Sequence, residues 1–87
     1  MKLQAVFWDY PKLLDENYLN DFLNEKKNTD TYLWLMNRFL EHARVVDTFH
    51  FFTINEISKN LPKLRLTEYS LKKWKRLIEV YNEIPGK

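Results

Sequence analysis

The sequence predicts an all-α protein: a small four-helix bundle with an extended N-terminal arm and a helix-turn-helix-like C-terminal half. Three observations predict it. One glycine and three prolines in 87 residues are too few for a sheet built on tight turns and suit helices joined by short polar links. Apolar residues make up 45% of the chain and aromatics 16%, well above a disordered composition, and they return at helical spacing. Residues suited to capping, Asp15, Thr29 or Asp30, Thr53 and Thr67, stand just ahead of those periodic runs. The length gives one domain with a real but small core. Its expected parts are an arm over 1–14, a helical hairpin over 15–52, a helix-turn-helix-like unit over 53–83 and a fraying tail over 84–87.

In the arm, Leu3, Ala5 and Phe7 alternate with Gln4, Val6 and Trp8, the period of an extended segment, and Pro11 ends it. Phe7 and Trp8 are its expected anchors on the bundle. Asp15 caps a first helix running to about Lys27, with Leu14, Tyr18, Leu19, Phe22 and Leu23 as the inward stripe. Asn28, Thr29 and Asp30 form a polar link. A second helix is expected from Thr31 to Val46, with Tyr32, Leu35, Met36, Phe39, Leu40, Ala43 and Val46 on one arc. Asn37, Arg38, Glu41 and Arg44 lie on the other. Trp34 projects among these polar residues, either packing on the arm or contacting a partner.

Asp47 to Phe52 either continues the second helix or forms a hydrophobic elbow. Thr53 and Glu56 have capping-box spacing, so a short helix runs from Ile54 to about Asn60 with Ile54, Ile57 and Leu61 inward, and Pro62 keeps it from extending. After the basic link Lys63-Leu64-Arg65-Leu66, Thr67 caps the last helix. Leu71, Trp74, Leu77, Ile78 and Tyr81 form its back, and Lys72, Lys75, Arg76 and Glu79 its front.

Charge is divided along the chain. Residues 1–56 carry six Lys or Arg against nine Asp or Glu, net −3, whereas residues 57–87 carry eight against three, net +5. Such a basic end suits an anionic partner. Lys63, Arg65, Lys72, Lys73, Lys75 and Arg76 are the expected phosphate contacts, with Tyr69, Ser70 and Arg76 placed to reach bases, in the order of a helix-turn-helix. The alternative is an adaptor whose basic helix docks on an acidic protein surface without binding DNA. Phe7, Trp8 and Trp34 are the candidate protein-partner contacts, and Trp34 and the Phe49 to Phe52 elbow are the candidates for a homodimer seam.

Other chemistry finds little footing. The absence of cysteine excludes a disulfide framework and a thiol nucleophile. His42 and His50 lack the spacing of a metal pair, and His50 reads as a partly buried spacer. Ser58, Ser70 and the threonines have neither a presenting glycine turn nor a neighbouring base. No glycine loop suits a phosphate cofactor. No enzyme activity, cofactor, metal or small-molecule substrate is therefore expected. The opening segment is too short for a signal peptide or a membrane span, so a cytoplasmic chain is expected.

Four motifs, Phe7-Trp8-Asp9, Leu33-Trp34-Leu35, Phe51-Phe52 followed by Ile54 to Ile57, and Leu66-Thr67 leading through Ser70-Leu71 to Trp74, together resemble a small bacterial domain. Its members share an N-terminal Phe-Trp-Asp, a mid-chain Trp-Leu-Leu and a closing Leu-Ser-x-x-Thr-x-x-Phe-Trp. Genes for it often adjoin those of AbiEii-type nucleotidyltransferase toxins. The resemblance implies an antitoxin-like role, with a cognate toxin as partner and no catalytic residue.

Overall fold

The computed structural model describes the backbone of residues 3–83 and the side chains of residues 3–81; the expected fraying tail lies outside them. Among the described residues the chain is all-α, with α1 Glu16–Glu25, α2 Asp30–His42, α3 Val45–Phe51, α4 Ile54–Asn60 and α5 Glu68–Glu83. None of these helices is long and apolar enough to cross a membrane.

Local signals set most boundaries. The Asp15 carboxylate accepts from the amides of Asn17 at 2.9 Å and Tyr18 at 3.2 Å, satisfying donors that the first turn of α1 leaves free. Asn28, at φ 67°, enters the left-handed region that asparagine tolerates and turns the chain between α1 and α2. Thr29, rather than Asp30, caps α2 through the Tyr32 amide at 3.3 Å. At α4 the capping box is complete: Thr53 accepts from the Glu56 amide at 3.1 Å while Glu56 accepts from the Thr53 amide at 2.9 Å.

Three expectations are corrected. The arm is not extended: Leu3–Ala5 and Pro11–Leu14 are 3-10 turns, and the amides of Val6 and Phe7 both donate to the Leu3 carbonyl at 2.9 Å. A lone strand would leave its amides and carbonyls without partners. Turning satisfies them and brings Leu3, Val6 and Phe7, spaced i, i+3, i+4, into the core together.

The second correction concerns α2, which stops at His42. Ala43 and Arg44 are extended, with ψ 158° and 156°. The stretch after them is a fifth helix, α3, neither a continuation of α2 nor an irregular elbow. It is held locally: the Thr48 amide and hydroxyl both donate to the Arg44 carbonyl, at 3.0 and 3.1 Å, and the Arg44 guanidinium bonds Asp47 at 3.1 Å. The break turns Val46, expected inside, out to 66% exposure.

Thirdly, Leu14 and Tyr18 are exposed, at 39% and 44%, and Leu13 takes the inward place; Leu14 belongs to the 3-10 turn ahead of Asp15, which is out of phase with α1. Tyr81, expected in the back of the last helix, is also exposed.

The core centres on Phe39 of α2, whose ring meets Phe7 of the arm at 5.6 Å, Phe51 at 5.2 Å and Phe52 at 5.4 Å between centroids. Leu19 and Leu23 of α1, Ile57 of α4 and Trp74 of α5 close around it. The opposite, polar arc of α2 is also partly covered. Arg38 reaches back to the arm, donating to the Val6 carbonyl at 2.9 and 2.7 Å and to Asp9 at 2.7 Å. Its guanidinium also lies 4.6 Å from the Trp8 ring centre and 5.2 Å from that of Trp34, a cation held by π faces.

Arg38 is therefore the arm's latch. Lysine has one point charge in place of the planar fork. Arg38→Lys should cost about 1–3 kcal/mol and speed hydrogen exchange at the Val6 and Phe7 amides. Unchanged exchange there would show that the arm is held by its apolar residues alone.

Candidate nucleic-acid interface

The orientation of α5 is fixed at its first turns. Thr67 caps it, accepting from the Ser70 amide at 3.3 Å. Glu41, from the last turn of α2, adds a second cap: its carboxylate accepts from the Thr67 amide, from the Thr67 hydroxyl at 2.9 Å and from the Ser70 hydroxyl. A negative group at a helix N-terminus also suits the dipole. In return, the buried Trp74 indole N–H donates to the Leu40 carbonyl at 3.0 Å, one of the carbonyls at the end of α2 that lack a partner within the helix. With Trp74 inside and Leu71, Leu77 and Ile78 packed around the core, the opposite face must look outward.

That face carries Lys72, Lys75 and Arg76, all exposed, together with Tyr69 at 78% exposure. Lys72 pairs with Glu68 at 3.0 Å and Arg76 with Glu79 at 3.5 Å. Every partner in these two pairs is at least 66% exposed, so each is worth only a few tenths of a kcal/mol and yields readily to a phosphate. Lys75 has no ion-pair partner among the described residues. Lys73 departs from the group: half-buried, its ammonium lies 5.9 Å from the Trp74 ring centre, leaning toward the core.

Two of the expected contact residues are corrected outright. Ser70 is 4% exposed and gives its hydroxyl to Glu41, so it cannot reach a base. Phe7 is fully buried beside Phe39, so it anchors the arm and touches no partner. Trp8, 57% exposed, and Trp34, 37% exposed, keep accessible ring surface. Trp34 packs on the arm through Phe7 and Tyr10, at 6.3 and 5.1 Å between centroids, without being buried by them. At the candidate dimer seam over Phe49 to Phe52, Phe52 is buried, while Phe49 packs edge-on against Trp74 at 5.9 Å and stays 39% exposed.

Lys63 and Arg65, both exposed, lie in the link ahead of α5. The Arg65 amide donates to the Asn37 side-chain oxygen at 2.9 Å, tying this link to α2. Between them opens a cleft of about 380 Å³ lined by Asp30, Trp34, Asn37, Lys63 and Arg65 with two leucines. Residues 61–67 separate α4 from α5, with a 3-10 turn at Leu61–Lys63, longer than the tight turn of a helix-turn-helix. The two histidines serve elsewhere. His42 packs edge-on to Trp8 at 5.2 Å, and His50, exposed rather than partly buried as expected, bonds Glu16 at 2.7 Å.

The residues missed from the sequence are Asn37, Arg38 and Glu41. All lie on the polar arc of α2, and the available signal was Trp34 among them, since a large ring on a polar arc marks a face that something covers. No protein-family model, curated protein or solved structure matches the chain.

Burial by itself raises the Glu41 carboxyl, but the bonds from Ser70 and Thr67 outweigh it and, with His42 nearby, hold it below the ordinary 4.5. Glu56 behaves alike: burial raises it, and the Thr53 amide, Lys27 and Tyr32 bring it below 4.5. Burial and then the Glu56 carboxylate push the Tyr32 phenol far above its ordinary value. Both carboxyls thus have folded values below their unfolded ones. The stability they supply is complete above about 4.5 and is lost as pH falls through the folded values.

The melting temperature should therefore decline on acidification below about pH 4.5. Glu41→Gln should lower stability by about 1–3 kcal/mol at neutral pH and flatten that decline. A variant with the same acid profile as the parent would remove Glu41 from this role.

Proposed function

We propose that the chain is a cytoplasmic, non-enzymatic nucleic-acid-binding protein that lays the outer face of α5 along DNA, acting as an antitoxin or transcriptional regulator of a toxin–antitoxin type system. The observation that carries the DNA-binding reading is the exposed trio Lys72, Lys75 and Arg76, held outward because Trp74 and Glu41 fix the rotation of the helix. Lys63 and Arg65 extend the cationic surface from the link, and Tyr69 stands at the helix start within reach of base edges. Arg76 is the residue suited to a bidentate bond with guanine. The antitoxin role rests on the resemblance of the sequence motifs to those of the bacterial domain found beside AbiEii-type toxins.

A second reading is favoured by Trp8 and Trp34, whose exposed rings suit a protein partner. It is an adaptor that silences a partner by contact, with the local pairing of Lys72 and Arg76 leaving little net charge for DNA.

Reversing Lys72, Lys75 and Arg76 to glutamate should abolish a mobility shift on duplex DNA while the thermal melt stays nearly unchanged, since all three are exposed. In the parent, log K should fall with log salt with a slope of about −4 to −5 for five phosphate contacts. Retained binding in the triple variant would overturn the DNA reading, and a co-purified partner bound equally with and without DNA would favour the adaptor.

A further inference from the structure

The cleft between α2 and the link combines features that the front of α5 does not. Trp34 offers an exposed aromatic ring. Lys63 and Arg65 have no carboxylate within ion-pair distance among the described residues. The Asn37 oxygen accepts from the Arg65 amide, which leaves the amino group of this cleft-lining residue as a donor. At about 380 Å³ the space lies at the small end of the range for ligand sites.

An aromatic wall, two unpaired cations and an amide donor are the complement of a flat base joined to a phosphate. We propose that this cleft binds a single nucleotide, its base stacked on Trp34 and its phosphate held by Lys63 and Arg65. Asp30 sets the direction. It lies seven positions before Asn37, about 10 Å along α2, and so stands away from the Arg65 end, where it repels phosphate and accepts from a ribose hydroxyl or an exocyclic amino group. Trp34 lies between them. Stacking tolerates any base, because every base has a π face.

The nucleotide is either free or an unpaired residue of a strand. The second source deepens the nucleic-acid reading and rests on it, giving the protein a grip on single-stranded DNA or RNA beside its duplex-binding face.

The test uses the full chain labelled with ¹⁵N, which has three indole N–H signals. Trp74, buried and bonded to Leu40, is the internal control, and Trp34→Phe assigns the reporter. Titration with 5′-AMP and with a short single-stranded oligonucleotide should move the Trp34 indole and Asn37 amide signals and leave Trp74 in place. Shifts from the oligonucleotide at far lower concentration than from AMP would identify a strand as the source, and equal affinity a free nucleotide.

Lys63→Glu with Arg65→Glu, both exposed, should weaken binding at least about tenfold without lowering the melt. Trp34→Ala should weaken it about 5- to 150-fold. Because Trp34 also packs on the arm, the charge variant decides the matter if the alanine variant unfolds. A Trp34 signal unmoved at millimolar nucleotide, or reproduced in full by inorganic phosphate, would overturn the site. Duplex binding is scored separately by mobility shift: its absence with nucleotide binding intact removes the α5 reading alone, and the converse removes the cleft alone.

Discussion

The last turn of α2 and the first turns of α5 complete each other, and the exposed surface of the protein depends on that exchange. Helix ends carry amides and carbonyls with no partner inside the helix. Here Glu41 takes two donors at the start of α5 besides the Ser70 hydroxyl, and Trp74 supplies the Leu40 carbonyl in return. Such bonds fix rotation as well as position, which apolar packing by itself does less sharply because hydrophobic attraction is not directional. With Trp74 locked inward, Lys72, Lys75 and Arg76 have only solvent to face.

The same helix organises the other end of the chain. Arg38, one turn before His42, gathers the Val6 carbonyl, Asp9 and the faces of Trp8 and Trp34. Taking a guanidinium out of water costs several kcal/mol, and the loss is offset only when its donors are met and its planes are stacked, as they are here. Asn37 then ties the basic link to the same arc. α2 is thus a central helix with a greasy face on the core and a polar face bonded to three segments. That explains how 87 residues with a small core hold both a turned arm and a long C-terminal helix in defined places.

The candidate surfaces inherit their character from this arrangement. On α5, charges are spread along one face and paired only with near neighbours in water, a surface that exchanges partners at little cost. At the cleft, cations and an aromatic ring belong to segments distant in sequence and are joined through Asn37 and Arg65. The first surface suits a repeating anionic backbone, the second a single residue of it.

The side-chain caps, which bond within a turn, were readable from the chain itself. Asp15, Thr29, the Thr53 and Glu56 box and Thr67 name their helices because their partners lie two or three residues away. Leu71, Trp74, Leu77 and Ile78 of α5 turn inward as the period predicts, while Tyr81 does not join them. What a polar residue on α2 does was not readable, since Glu41, Arg38 and Trp74 find partners 26 to 34 positions away, and one polar arc looks the same whether water or another helix covers it. For that reason Ser70 and Phe7 pass from surface to interior, and α2 yields to α3 at Ala43, only once the chain is folded. Local hydrogen bonding and hydrophobic period determine which segments are helical; tertiary packing alone decides which of their charges remain free to meet a partner.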